Sequence, residues 1–171
     1  MRARRRQAGQ SLTEFALVTP VLLFLLLGTL ESALLVFTVG TARFAAAEGA
    51  QVDSDLGNAT NADTMAVQTI RTGPFGQTSL GTVQHIDVYR LTQQGNGTLA
   101  VDNAAYNSYR LDGTSISITW APATRNVRNG VSDFLGLTIY YQYQWRSGTL
   151  LGVAPLSLTQ TAYVRLEPQS Y

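Results

Sequence analysis

The sequence predicts an α+β protein: a long N-terminal membrane-spanning helix continuing into a stalk, packed on a small, mostly antiparallel β-sheet head with one short extra helix. Three observations predict it. Residues 15–30 read FALVTPVLLFLLLGTL, sixteen positions without a charge, and apolar character resumes after Glu31 through residue 39. The alanine-rich run from Thr38 to Ala50 carries helix propensity beyond that segment. From Val83 onward the apolar positions recur with period two, the mark of half-buried strands.

Sixteen helical residues span ~24 Å, slightly less than a ~30 Å hydrocarbon core. With the second stretch the apolar segment reaches twenty-five residues, ample with some tilt. Glu14 and Glu31 are seventeen positions apart, ~26 Å along a helix axis. That spacing places both carboxylates near opposite interfaces, where the cost of a charge is lowest. Arg2, Arg4, Arg5 and Arg6 precede the segment with no acid before Glu14, which predicts a cytoplasmic N-terminus and an exported remainder. A secretory signal cleaved near Ala45-Ala46-Ala47 is the rival reading; the apolar region is long for one and Glu31 interrupts it. An unprocessed signal anchor is a further alternative. Pro20 leaves the carbonyl of Ala16 without its helical donor, so a kink or loosened turn is expected there. Gly49 and the polar cluster at residues 53–58 are expected to end the stalk.

Residues 62–71 have Met65, Ala66 and Ile70 at helical spacing, and Gly73-Pro74 supplies a stop. Strands are expected over residues 83–90, 115–120, 137–145 and 156–166, within a sheet of three to five strands. Gln94-Gly95-Asn96-Gly97 and Asp112-Gly113 are turn signals between them. Alternation sends Tyr140 and Tyr141 to opposite faces, so aromatic surface extends beyond the core, a candidate contact for neighbouring subunits or an adhesion target.

Composition narrows the function. A net charge of +1 argues against nucleic acid as the main partner. Beyond residue 10 eight arginines face eleven acids, and there is no lysine. The absence of cysteine excludes disulfide scaffolds, thiolate metal sites and cysteine nucleophiles. His85 is the only histidine and lies inside a strand pattern, whereas imidazole metal sites and catalytic triads need more company. Asp53, Asp55 and Asn58 do not have the spacing of a calcium loop. No catalytic, cofactor-binding or metal-ligating residue is therefore assigned. A membrane-anchored exported hydrolase, the enzyme alternative, lacks a converging set of acids or a Ser/His pair.

The stretch Gly9-Gln10-Ser11-Leu12-Thr13-Glu14-Phe15, set between a short basic leader and the apolar helix, resembles a type IV prepilin processing site. Continued through Pro20, with Leu26-Leu27-Gly28-Thr29-Leu30-Glu31 and Arg43-Phe44-Ala45-Ala46-Ala47-Glu48-Gly49-Ala50 beyond, it resembles the TadE-like minor pilins, or pseudopilins, of tight-adherence pili. The resemblance implies cleavage between Gly9 and Gln10 by a prepilin peptidase, leaving Glu14 fifth in the mature chain. It also implies a helix interface carried by Glu14, Phe15, Pro20 and Glu31, with Glu14 meeting the terminal amine of a neighbouring subunit. Residues 1–9 would then be the leader, 10–50 the transmembrane and stalk helix, and 51–171 the exported head. The implied partners are the peptidase, other pilin subunits, the inner-membrane pilus assembly platform and the lipid bilayer, with no cofactor. The implied role is assembly, priming or capping of a pilus; a membrane-bound scaffold of the pilus machinery is the alternative. Gln10 departs from the family, since filament-forming pilins usually carry a large apolar residue there.

Overall fold

The computed structural model describes residues 3–148 and 152–169, with side chains described from Ser11 onward. One α-helix, α1, runs from Ala3 to Leu56, about 80 Å of continuous helix. Its polar side chains do not interrupt it, because they bond back to their own backbone. The hydroxyls of Thr19, Ser32 and Thr38 donate to the carbonyls of Phe15, Gly28 and Leu34 at 2.7–2.8 Å. The helix runs unbroken through Pro20.

Gly49 does not end α1. It lies in the helix interior where the next helix comes closest: a Cβ there would sit 2.8 Å from Ile70 Cδ1 and 3.3 Å from Leu137 Cδ1. The absent side chain is what permits that approach. The stop comes at Gly57, whose φ of +57° is the left-handed conformation that terminates helices, and its N–H donates to the Asp53 carbonyl at 2.9 Å.

After a short turn, α2 spans Ala62–Thr72 and ends at Gly73. Its buried face is Ala62, Asp63, Ala66, Val67 and Ile70, whereas Met65 is 43% exposed. Ala66 and Ile70 of the expected stripe are buried, and Met65 alone of the three faces outward. Pro74 opens the four-residue helix α3, Pro74–Gln77, where its missing N–H costs nothing.

Five strands follow: β1 Gly81–Gln93, β2 Leu99–Tyr109, β3 Ser115–Ile118, β4 Phe134–Tyr143 and β5 Leu156–Arg165. They form one antiparallel sheet in the order β3-β2-β1-β4-β5. The turns read from the sequence are present, with positive φ at Gly97 (+85°) and Gly113 (+90°). Strand β2 has no clean alternation to announce it, and its register against β1 shifts between Tyr89 and Leu91. A 3-10 turn at Pro122–Thr124 lies in the connection that carries the chain from β3 to β4.

The inner sheet face carries Ile86, Val88, Leu135, Leu137, Ile139 and Tyr141, all at most 1% exposed. Against it lie Ala42, Ala45, Ala46 and Ala50 of α1, with Val67 and Ile70 of α2 and Phe75 of α3. Four alanines at spacings of three and four place one smooth stripe of α1 against the sheet. The upper part of α1 is thus a wall of the head's core, and the helix-on-sheet α+β arrangement is the one the sequence predicts. On the other sheet face, Tyr140 stacks on His85 with ring centroids 4.3 Å apart. Tyr89 lies flat over Gly136 and shares a 2.9 Å hydrogen bond with Thr138.

Candidate functional site: the N-terminal helix and its attachment to the head

The lower half of α1 is bare. Nearly every residue from Ser11 to Leu30 is exposed, including Phe15 at 69%, Leu17 at 76% and Phe24 at 66%. The helix containing this stretch is long and apolar enough to cross a membrane. An isolated apolar helix of this kind has no stable exposure in water and fits a lipid surround or other helices.

The structure distributes the sequence-predicted residues unevenly. Gly9 and Gln10 lie on the backbone of α1, and their side-chain surroundings fall outside the described residues. Glu14, Phe15 and Pro20 are exposed on the bare helix.

Glu31 is different. It is only 6% exposed, and its partners come from its own head. Tyr143 O–H donates to Oε1 at 2.9 Å, and the Arg146 backbone N–H donates to the same oxygen at 2.8 Å. Ser147 donates to Oε2 through its backbone N–H at 3.1 Å and its hydroxyl at 3.2 Å. Four donors surround one carboxylate, so both oxygens are satisfied without water. Burial, and after it the hydrogen bond to Glu31 and that group's charge, push the Tyr143 hydroxyl up to about 12, which keeps it a donor at any physiological pH.

A second attachment lies near the end of α1. Arg125, fully buried, donates through Nη1 to Asp53 Oδ1 at 2.7 Å and through Nη2 to Asp63 Oδ1. Its guanidinium also lies 4.4 Å from the centroid of the Trp120 ring. Tyr109 O–H and the Asn107 side-chain N–H each donate to Asp63 Oδ2 at 2.7 Å. One cation therefore ties α1, α2 and the β3–β4 connection together. Two buried carboxylates share it, so one negative charge is in excess. Desolvation, then the neighbouring Asp63, raise Asp53 well above the usual carboxylate range against the pull of Arg125. Beside this cluster, Ser54 Oγ–H donates to the Arg165 carbonyl at 2.8 Å and fixes the end of β5 to α1.

Neither attachment was readable in advance. Arg125 sits in a loop-like stretch with no periodic pattern, and nothing in the residues around Tyr143–Ser147 singles them out as donors to a helix seventy or more positions removed. Asp53 and Asp55, weighed as cation ligands, do not converge: Asp53 binds Arg125, while Asp55 accepts from Gln51 at 2.7 Å. Among the described residues no group of three or more His, Asp or Glu side chains is placed to hold a metal ion. His85 stacks on Tyr140, with Nε2 3.5 Å from Asp87.

The comparison with protein families falls on the helix. Residues 9–51 match the model of the family described as TadE-like protein, covering the Gly9–Phe15 stretch, the bare apolar segment and the alanine stripe, and none of the sheet. No curated protein and no solved structure matches the chain. Over this N-terminal segment, which holds the one membrane-length helix among the described residues, the chain is similar to the TadE-like family.

Proposed function

We propose that this protein is a minor pilin, or pseudopilin, made as a precursor, cleaved between Gly9 and Gln10 by a prepilin peptidase, and assembled through α1. In this reading α1 crosses the inner membrane with its N-terminus in the cytoplasm, and the head is exported. The platform of the pilus machinery then moves the subunit into a fibre, where its head primes assembly or caps the growing end. The protein does no covalent chemistry of its own.

The observation that carries this reading is the fixed interval from Gly9 to Glu14 and Phe15 on a helix whose lower half is bare. Membrane insertion alone does not require that interval. Cleavage followed by packing against a neighbour does, because it sets the distance between a new ammonium and a carboxylate. Pairing of the two makes the charge tolerable in a water-poor fibre core. The four arginines before the helix support the orientation.

The test is the mature N-terminus, read by mass spectrometry on protein from native membranes and from sheared surface fibres. Gln10 is expected as the terminus in both; a pyroglutamyl form shows the cleavage but removes the ammonium that the Glu14 pairing needs. Gly9→Leu is expected to insert normally and to keep its leader. An intact Met1 in the wild type, or a terminus near Glu48, overturns the reading in favour of a permanent anchor or a secreted protein. Finding the Gln10 terminus only in membranes favours the scaffold alternative.

A further inference from the structure

Beneath the Glu31 attachment the head overhangs the helix. A groove of ≈ 390 Å³ is lined on the α1 side by Phe24, Leu27, Gly28 and Glu31, and on the head side by Trp145 and Val153. Its floor is open: a Cβ built on Gly28 meets nothing within 4 Å. Phe24, Leu27 and Val153 are 66%, 44% and 49% exposed, so the walls are apolar and uncovered. Phe24 lies seven residues before Glu31, ~10 Å lower along the helix and within the uncharged run. The head therefore reaches down beside residues of the apolar segment itself.

We infer that the base of the head is immersed in the leaflet of the membrane that it faces, with a phospholipid acyl chain filling the groove between α1 and the side chains of Trp145 and Val153. Three features fix this occupant. The groove is continuous with the bare apolar face of α1, so whatever surrounds that helix also enters the groove. Its one charged wall residue, Glu31, already has four donors from the protein and needs no water. At its rim the chemistry turns to that of a headgroup zone: Trp145 is held edge-on against Tyr143 at 5.2 Å, and Arg146, next in sequence, is exposed and donates through Nη2 to Ser79 Oγ. Tryptophan and arginine are residue types that settle at a membrane–water boundary. The leaflet thus reaches the groove whose wall holds the carboxylate. This inference rests on the membrane-spanning reading of α1.

The chain has two tryptophans, and Trp120 is 4% exposed inside the head. That makes Trp145 a depth gauge. The full chain is placed in nanodiscs of phosphatidylcholine and phosphatidylglycerol, with bromine either high on the acyl chains or near their ends. Trp120→Phe isolates the Trp145 emission; if that variant misfolds, the emission that Trp145→Phe removes from the wild type gives the same quantity. Bromine high on the chains is expected to remove most of the Trp145 emission, bromine at the chain ends little of it, and aqueous iodide almost none. Trp145 emission quenched by iodide and spared by both bromolipids overturns the inference, as does a groove closed by a second copy that crosslinks through Val153→Cys and excludes bromolipid. Protection of α1 from protease is scored in the same discs. A chain that fails this control defeats the membrane-spanning reading itself, whereas a protected α1 with an unquenched Trp145 defeats only the immersed groove.

Discussion

Arg125 is the residue on which the head's polar interior depends. Its side chain is fully buried between Asp53 and Asp63, on two different helices. Removing it leaves two uncompensated carboxylates in a dry site, so Arg125→Ala is expected to destabilise the head by ~3–5 kcal/mol in denaturant titrations of the full chain in detergent. The wild type carries a milder version of the same strain. Because Asp53 is raised well above its ordinary value, the folded state takes up a proton more readily there than the unfolded chain does. The contribution of this group is fully present below the unfolded value of about 3.9 and is lost as pH rises through the folded value. Thermal stability is accordingly expected to increase as the pH is lowered from neutral towards about 5, before the remaining carboxylates protonate. In Arg125→Ala the increase is expected to be larger. A melting temperature that falls monotonically on acidification in both proteins contradicts this assignment.

At the level of elements, the sequence showed what periodicity can show. The apolar run, the alanine stripe, α2 and four of the five strands are written as repeats of 3.6 or 2, which follow from local geometry. Strand β2 was missed because Asp102-Asn103-Ala104-Ala105 breaks the alternation where its pairing with β1 is irregular. Met65 was placed inward and lies outward, because a short helix with several small residues does not fix its own rotation; contact with α1 does. Gly49 was read as a helix stop for its propensity, whereas its use is close packing against Ile70. Tertiary contact overrode local preference in each case. Glycine has another such use in β4. The ring of Tyr89 lies where a Cβ on Gly136 would project, and its hydroxyl is held by Thr138. A methyl group there must displace an aromatic ring from the sheet, so Gly136→Ala is expected to cost ~1–3 kcal/mol. Equilibrium unfolding of the full chain in detergent checks it, and Tyr89→Ala in the same background is expected to relieve the clash.

For the whole molecule, the candidate site was legible as far as the chain encodes it linearly. Gly9, Glu14 and the apolar run stand in order on one helix, and the family match covers that same segment. The attachments at Glu31 and Asp53 were not legible, since they join residues distant in sequence. In the proposed assembly Glu14 and the head have separate duties. Glu14→Ala is expected to leave processing and head stability unchanged while lowering incorporation into sheared fibres several-fold, measured by quantitative immunoblotting. Undiminished incorporation would show that another contact drives entry into the fibre.

The two attachments also give the molecule a mechanical character. Glu31 and Asp53 are twenty-two residues apart on α1, ~33 Å along a single helix, and each is bonded to a different part of the head. A body fixed to a rod at one point swivels; fixed at two well-separated points, it turns only with the rod. The azimuth of the head is therefore set by the rotation of α1 about its own axis. Whatever packs against the bare lower helix thereby chooses the direction in which the outer face of the sheet, with Tyr140 and His85 on it, looks.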